Sequence, residues 1–369
     1  MNKATLAACL ATAFACPMLA SAQTAPAPAA SAPAVPSLGA VIAATPGLSL
    51  TGYVATTYTH FDTSTPAQRQ FDTTQNGFTL NQASLTAAYL PTSGFGASVT
   101  LLGGNDATYL PGGSQMGVEN AFVQYAQGNL TLLAGRLPTL AGMEVVSPLA
   151  NNEISRSLLF FDLEPIYHTG VRASYAVDGA LTLTGGVNDG FNRASPVTGA
   201  SKTVELGASG SPTKMFSYAV SYYYTGTAAY YNSAVLSKEQ LLDLVGNLNA
   251  TDSLSFGLNI DLVSKNDYNG IGTGTGKANG YALYANYAIN DKYTLSGRGE
   301  YLDDKQGLVS GVLGTANKLK ELTLALNYAP VKNVKLSAEV RQDKSDLPIF
   351  DSGAKDKQTS FELLAAYSF

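Results

Sequence analysis

The chain has 369 residues with 22 Lys and Arg against 27 Asp and Glu, a net charge of −5, 21 tyrosines, 36 glycines and no tryptophan. So mild an acidity argues against nucleic acid as a partner, which calls for clustered Lys and Arg. Both cysteines, Cys9 and Cys16, lie near the start, so the chain beyond them offers no disulfide, cysteine nucleophile or thiolate metal site, and no cofactor is implied.

In chain order, Lys3, an apolar run over residues 4–19 and the small residues Ala20-Ser21-Ala22 predict a secretory signal over 1–22, cleaved near Ala22. The run is short and broken by Pro17, which disfavours a membrane anchor. Leu6-Ala7-Ala8-Cys9 resembles a lipobox but leaves almost no apolar stretch before it. Residues 23–47, rich in Ala, Pro, Ser and Thr, read as an extended linker. From residue 48 to 369 the chain is one tract, and no run of eighteen apolar residues in it would make a helical span.

In that tract the dominant period is two. Leu254, Phe256, Leu258 and Ile260 alternate with Ser255, Gly257, Asn259 and Asp261, and Leu322, Leu324 and Leu326 alternate with Glu321, Thr323 and Ala325. A strand sends such sets to opposite faces. Sixteen segments are expected, at 49–61, 78–90, 95–103, 118–127, 130–136, 168–177, 181–188, 202–209, 216–225, 240–249, 254–264, 280–289, 293–302, 320–329, 335–342 and 359–369. Most have the length a tilted strand needs to cross a bilayer.

Every second connection is short and made of turn residues, such as Gly128-Asn129 and Asp178-Gly179. Those between are long, polar and Gly-rich. That asymmetry fits a transmembrane barrel better than a soluble β-sandwich, whose loops need none. The expected fold is all-β, a transmembrane antiparallel up-and-down barrel of about 16 strands. Tyrosines near segment ends, Tyr53, Tyr58, Tyr287 and Tyr328 among them, are expected in aromatic girdles. The final alternation, Phe361, Leu363, Ala365, Tyr367 and Phe369, resembles the signal read by the bacterial barrel assembly machinery, an expected partner alongside outer-membrane lipid.

The longest connection, residues 137–167, carries Glu144, Glu153, Arg156, Asp162 and Glu164 beside Phe160 and Phe161. A loop of this length in a compact fold is usually functional. It is expected to fold into the barrel mouth as a constriction. The face opposite the apolar one holds Arg172, Glu205, Asn259, Asp261, Arg298, Glu300, Asn327, Lys335, Glu339 and Arg341, with Arg136 at the root of the loop. Charges of both signs there suit a water-filled lumen, since unpaired charges are costly in a dry core. Acids outnumber Arg156 in the loop, which predicts a mild cation preference, with Arg136 and Arg172 opposing it.

Gly135-Arg136-Leu137-Pro138-Thr139, then Glu144, Ser147-Pro148, Asn151-Asn152, Ser155-Arg156-Ser157, Glu164-Pro165 and His168-Thr169-Gly170-Val171-Arg172 resemble the OmpL-like family of outer-membrane β-barrel porins, porin type 2. The resemblance is sharpest over residues 130–175. It implies passive passage of small hydrophilic solutes or ions across a bacterial outer membrane, and no catalytic residues. Two alternatives stand beside it. A barrel lipase or protease would have to use His60 or His168, the only histidines, and neither has a nucleophile-elbow sequence or metal spacing nearby. A closed structural or adhesive barrel would fill its lumen with apolar residues, and Ala219, Leu241 and Val245 make one region less polar. A homo-oligomer is compatible with each.

Overall fold

The computed structural model describes residues 45–196, 198–229, 236–266, 274–310 and 314–369. The expected leader over 1–22 and most of the linker over 23–47 lie outside the described residues. Sixteen strands are observed: β1 (Leu48–Phe61), β2 (Gly77–Tyr89), β3 (Gly94–Gly103), β4 (Met116–Gln127), β5 (Leu130–Pro138), β6 (Tyr167–Asp178), β7 (Leu181–Asn188) and β8 (Thr203–Gly210). They continue with β9 (Phe216–Ala229), β10 (Leu236–Asn249), β11 (Leu254–Asn266), β12 (Thr275–Ala288), β13 (Tyr293–Asp304), β14 (Asn317–Tyr328), β15 (Val334–Ser345) and β16 (Lys357–Ser368).

Each strand pairs antiparallel with its neighbours in sequence, and β1 closes the sheet on β16, from Tyr53 opposite Ser368 to Phe61 opposite Ser360. Closure leaves no unpaired edge, the condition for a sheet in lipid. Several strands run past the expected segments on the long-loop side. β10 starts at Leu236, β12 at Thr275, and β15 reaches Ser345. Those extensions carry Lys238, Lys277 and Lys344, because a ladder needs no apolar face once it has left the bilayer.

One face of the sheet is apolar and exposed: Leu322 (69 %), Leu283 (63 %) and Phe95 (77 %) stand on it. Aromatic pairs mark the short-turn rim, Tyr293 with Tyr328 at 4.6 Å and Phe95 with Tyr125 at 4.9 Å. Tyr58 with Phe78 (5.0 Å) marks the other rim. Amphipathic rings at both boundaries fit a lipid-facing belt. Tyr53 departs from the girdle expectation: it faces inward, and its hydroxyl donates to Gln82 Oε1 at 2.6 Å.

The other face is largely polar, and much of it is buried. Arg298, Arg341, Glu339, Asp243 and Asp261 are at most 1 % exposed. Burying charge in this way requires partners, and many come from the segment between β5 and β6.

The candidate pore constriction

That segment is residues 139–166, shorter than the expected 137–167 because the ladder continues through Leu137 opposite His168 and Pro138 opposite Tyr167. It contains one short helix, α1 (Leu158–Asp162), whose first turn is capped by the Ser157 hydroxyl accepting from Phe160 N–H at 3.0 Å. Leu158, Leu159 and Leu163 pack into an apolar cluster with Tyr223, Leu241, Val263, Ala282 and Leu302 of the barrel wall. The low polarity around Leu241 is therefore a landing place for α1. Gly280 makes the approach possible, since a Cβ there would stand 2.6 Å from Leu163 Cδ1.

Polar wall residues hold the rest. Wall carboxylates accept the backbone N–H groups that the irregular chain leaves unpaired. Glu339 takes Ile154 N at 2.5 Å and Ser155 N at 3.1 Å, and Glu300 takes Leu158 N at 2.6 Å. Arg298 reaches Glu144 at 2.6 Å, Ser155 O at 2.9 Å, Glu300 at 2.8 Å and Glu321 at 3.2 Å. Arg341 donates to Arg156 O at 2.5 Å and pairs with Asp343 at 2.7 Å. Every one of these wall side chains lies on the face opposite the exposed apolar belt.

The expected loop residues divide by role. Arg156 staples the segment to itself, donating to the carbonyls of Val145 (2.9 Å), Ile154 (2.8 Å) and Val146 (2.7 Å). Its guanidinium also lies over the rings of Phe71 (5.4 Å) and Phe160 (5.9 Å). Glu144 accepts from Ser157 N at 2.7 Å besides its ion pair. Glu153 is 3 % exposed with one oxygen unpartnered, and burial pushes its carboxyl up to about 7. Glu164 is buried and Asp162 half-buried. Thus Glu144, Glu153, Arg156 and Glu164 are enclosed rather than presented to open water.

On the wall, Arg172 and Glu205 form a buried pair at 2.6 Å, and Asp261, Arg298, Glu300, Glu339 and Arg341 all stand on the inward register. Lys335 and Asn327 reach the segment too, donating to Pro148 O at 2.9 Å and Asn152 O at 2.8 Å. Arg136 is not on the inward register. It alternates with the buried Leu137 and shares the face of Leu132 and Ala134, donating to Val118 O at 2.6 Å and lying 4.9 Å over the Tyr167 ring. Being one residue out of step with the inward set is enough to send a side chain to the other face.

Several participants escaped the sequence. Arg69, from the β1–β2 connection, pairs with Asp72 (2.7 Å) and Asp343 (2.9 Å). Nothing local in a polar loop announces that its arginine will fold over the neighbouring β16 onto β15. Glu119 is the second. β4 carries a β-bulge, with Thr100 opposite Asn120 but Leu101 opposite Val118, and the extra residue is Glu119. A bulge re-aims the side chain of its extra residue. Unlike the wall carboxylates named above, Glu119 is half-exposed and makes no ion pair among the described residues.

Inward positions of β13–β16 are mostly buried, whereas inward positions of β2–β7 near the short turns stay half-exposed and hydroxylated. Thr86 and Thr100 lie 2.9 Å apart there, as do Ser174 and Thr184. A cavity of about 360 Å³ opens beside Glu144, Glu153, Asn247 and Asn286.

A closed sixteen-stranded antiparallel barrel, apolar and aromatic-rimmed outside and charged within, is a porin-like transmembrane β-barrel. The chain belongs to the family described as "Putative beta-barrel porin-2, OmpL-like", which matches residues 47–369. Its fold is similar to that of the outer membrane channel DcaP of Acinetobacter baumannii, with a TM-score of 0.60 and 14% identity over 87% of this chain and 97% of that one. It is similar also to an anion-selective porin from Comamonas acidovorans (0.59, 13% identity, 87% and 99% covered). OmpT, an outer membrane protein of Vibrio cholerae, is comparable (0.60, 12% identity, 87% and 97%). At such identities the likeness concerns the fold alone. No curated protein matches the chain in sequence.

Proposed function

We propose that this protein is an outer-membrane pore through which small hydrophilic solutes and ions diffuse, narrowed by residues 139–166. The observation that carries this is a contrast within the inner wall: β10–β16 hold the segment through buried charged and apolar side chains, whereas inward positions of β2–β7 near the short turns stay half-exposed and hydroxylated. Sixteen strands enclose a lumen too wide for wall side chains to fill, and a pinned segment sets its width. Purified protein in a planar bilayer should give stepwise conductance. Silence from folded protein would overturn the proposal.

A mild cation preference belongs to the same proposal, but from a different source than the loop acids, which are engaged in bonding. Glu119, half-exposed and without an ion pair among the described residues, supports it. Glu119→Gln should move the reversal potential in a salt gradient toward the anion side. An unchanged potential would remove Glu119 from selectivity.

Export through residues 1–22, with cleavage near Ala22, and recognition of the β16 end at Phe369 by the assembly machinery are part of this proposal. So is a homo-oligomer, supported by the small outward residues Ala134, Ala173 and Gly185, which leave a shallow apolar groove on the outer wall. The similar OmpT of Vibrio cholerae has been solved in a trimer form. The histidines lend little to an enzymatic alternative. His168 Nδ1 lies 3.1 Å from Gly190 O and its ring stacks on Tyr223 at 4.8 Å, while His60 Nδ1 lies 3.4 Å from Asn76 Oδ1.

A further inference from the structure

Asp243 on β10 and Asp261 on β11 stand directly opposite each other in the ladder, both 0 % exposed. Like charges in that register are destabilising. Glu164, at the end of the β5–β6 segment, comes down on the same spot, so that one carboxylate oxygen from each of the three residues lies within 4.8 Å of the others.

The donors that reach them are neutral. Asp243 accepts from the Ser221 hydroxyl at 3.3 Å and from Asn259 Nδ2 at 3.0 Å, and Asp261 Oδ1 takes a long bond from the same amide at 3.4 Å. Asp261 Oδ2 is fully buried and receives no hydrogen bond from a donor group of the wall or the segment. Elsewhere on the inner wall, buried carboxylates are paired with arginine, as Glu205 and Glu321 show, whereas the charged groups around this cluster are all acidic. The segment's backbone is shaped to hold the third carboxylate here. Gly142 has φ +87°, and a Cβ at that position would stand 2.0 Å from Glu164 Oε2.

We propose that Glu164, Asp243 and Asp261 bind a hard divalent cation of the calcium or magnesium class, which clips the β5–β6 segment to β10 and β11. The donor set is oxygen only, which suits these ions and disfavours softer metals. Calcium–oxygen bonds of about 2.3–2.6 Å let oxygens on opposite sides of one ion stand about 4.6–5.2 Å apart, so three oxygens within this spread can share a single ion. Water carried in with the ion would complete the shell. The cation answers the like-charge pairing and the orphaned oxygen together, and it makes Glu164 a fastening point rather than a repelled neighbour. This inference does not depend on whether the barrel conducts.

The test uses the full chain folded in detergent, stripped with a chelator at pH 7.5 and titrated with CaCl2, MgCl2 or NaCl at matched ionic strength. The readouts are the thermal midpoint, amide exchange over residues 158–166, and ions bound per chain by equilibrium dialysis. A saturable rise in midpoint and slower exchange with Ca²⁺ or Mg²⁺ is expected, with one ion bound. Asp261→Asn should weaken that response at least tenfold.

Two results overturn the proposal. One is the absence of any divalent response, with stabilisation by acid alone, which would assign the cluster to a shared proton. The other is a response undiminished in both Asp261→Asn and Asp243→Asn. Should the variants not fold, one-to-one dialysis binding to the native chain decides the matter, and its absence refutes the site.

Discussion

Arg298→Met is the most informative substitution. It keeps most of the side-chain volume and removes only the charge and its donors. Arg298 is fully buried and within ion-pair distance of Glu144, Glu300 and Glu321, and it holds the Ser155 carbonyl as well. Two of those four partners belong to the β5–β6 segment and two to the wall. Breaking a buried pair by deleting one partner costs about 3–5 kcal/mol, because the remaining charge is left without compensation. The barrel ladder does not run through the Arg298 side chain, so the cost falls on segment docking rather than on closure of the sheet. At roughly 1.4 kcal/mol per decade, even about 3 kcal/mol means an opening equilibrium on the order of a hundredfold larger. Amide exchange read peptide by peptide should therefore accelerate over residues 144–158 and stay unchanged over β2–β5, because local opening has its own free energy. Single-channel traces should become noisier with a larger mean current. If exchange in the segment did not change while the barrel remained folded, the wall would not be what holds the segment, and docking of α1 alone would suffice.

Three further outcomes can be checked with the same tools. Glu153 holds its proton up to about pH 7 when folded, against an ordinary value of 4.5. The folded form therefore binds more protons across that window, so its stabilising contribution is complete below pH 4.5 and lost as pH rises through 7. Segment exchange, corrected for intrinsic rates, should be slower at pH 5 than at pH 8, and Glu153→Gln should flatten the difference. A slope in the opposite direction would exclude Glu153 as its source. The Tyr223 hydroxyl receives Leu140 N–H at 2.8 Å and contacts Thr139 Oγ1 at 3.1 Å, so Tyr223→Phe leaves a part-buried N–H unpaired. The cost should be about 1–3 kcal/mol, confined to the segment root, and exchange at residues 139–142 reads it. Finally, Leu324 is 57 % exposed on the apolar face, and Leu324→Arg should lower refolding stability in vesicles by about 2–4 kcal/mol if that belt lies near mid-bilayer. An unaffected variant would mean that the belt faces water.

The barrel was legible in the sequence because its signal is local and repeated. Alternation such as Leu322-Thr323-Leu324-Ala325 is dictated by two faces meeting different media, and it returns with each strand regardless of what lies across the lumen. Turn residues at Gly128-Asn129 and Asp178-Gly179 likewise act over three or four positions. The same locality explains where alternation misled. A bulge at Glu119 and the register of Arg136 each turn on one residue, and a pattern of period two carries no mark of where its phase slips.

Residues 139–166 show the other side of the division. Their composition announced a furnished loop, and Glu144, Arg156 and Glu164 could be named from it, but not what they do. An apolar wall position such as Leu241 looked like a defect in a polar lumen until α1 was seated on it. Carboxylates that read as charges lining a channel are consumed in capping backbone N–H groups and in meeting Arg298, because an irregular chain inside a barrel must find hydrogen-bond partners from the wall around it. Those partners lie far along the chain, as Ser155 with Arg298 and Arg69 with Asp343 show. The sequence alone thus determined the sheet, its two faces and its long and short ends, since these follow from nearest-neighbour chemistry. Only the tertiary structure decided which charges stay open to the lumen, because that depends on which distant side chain claims each one first.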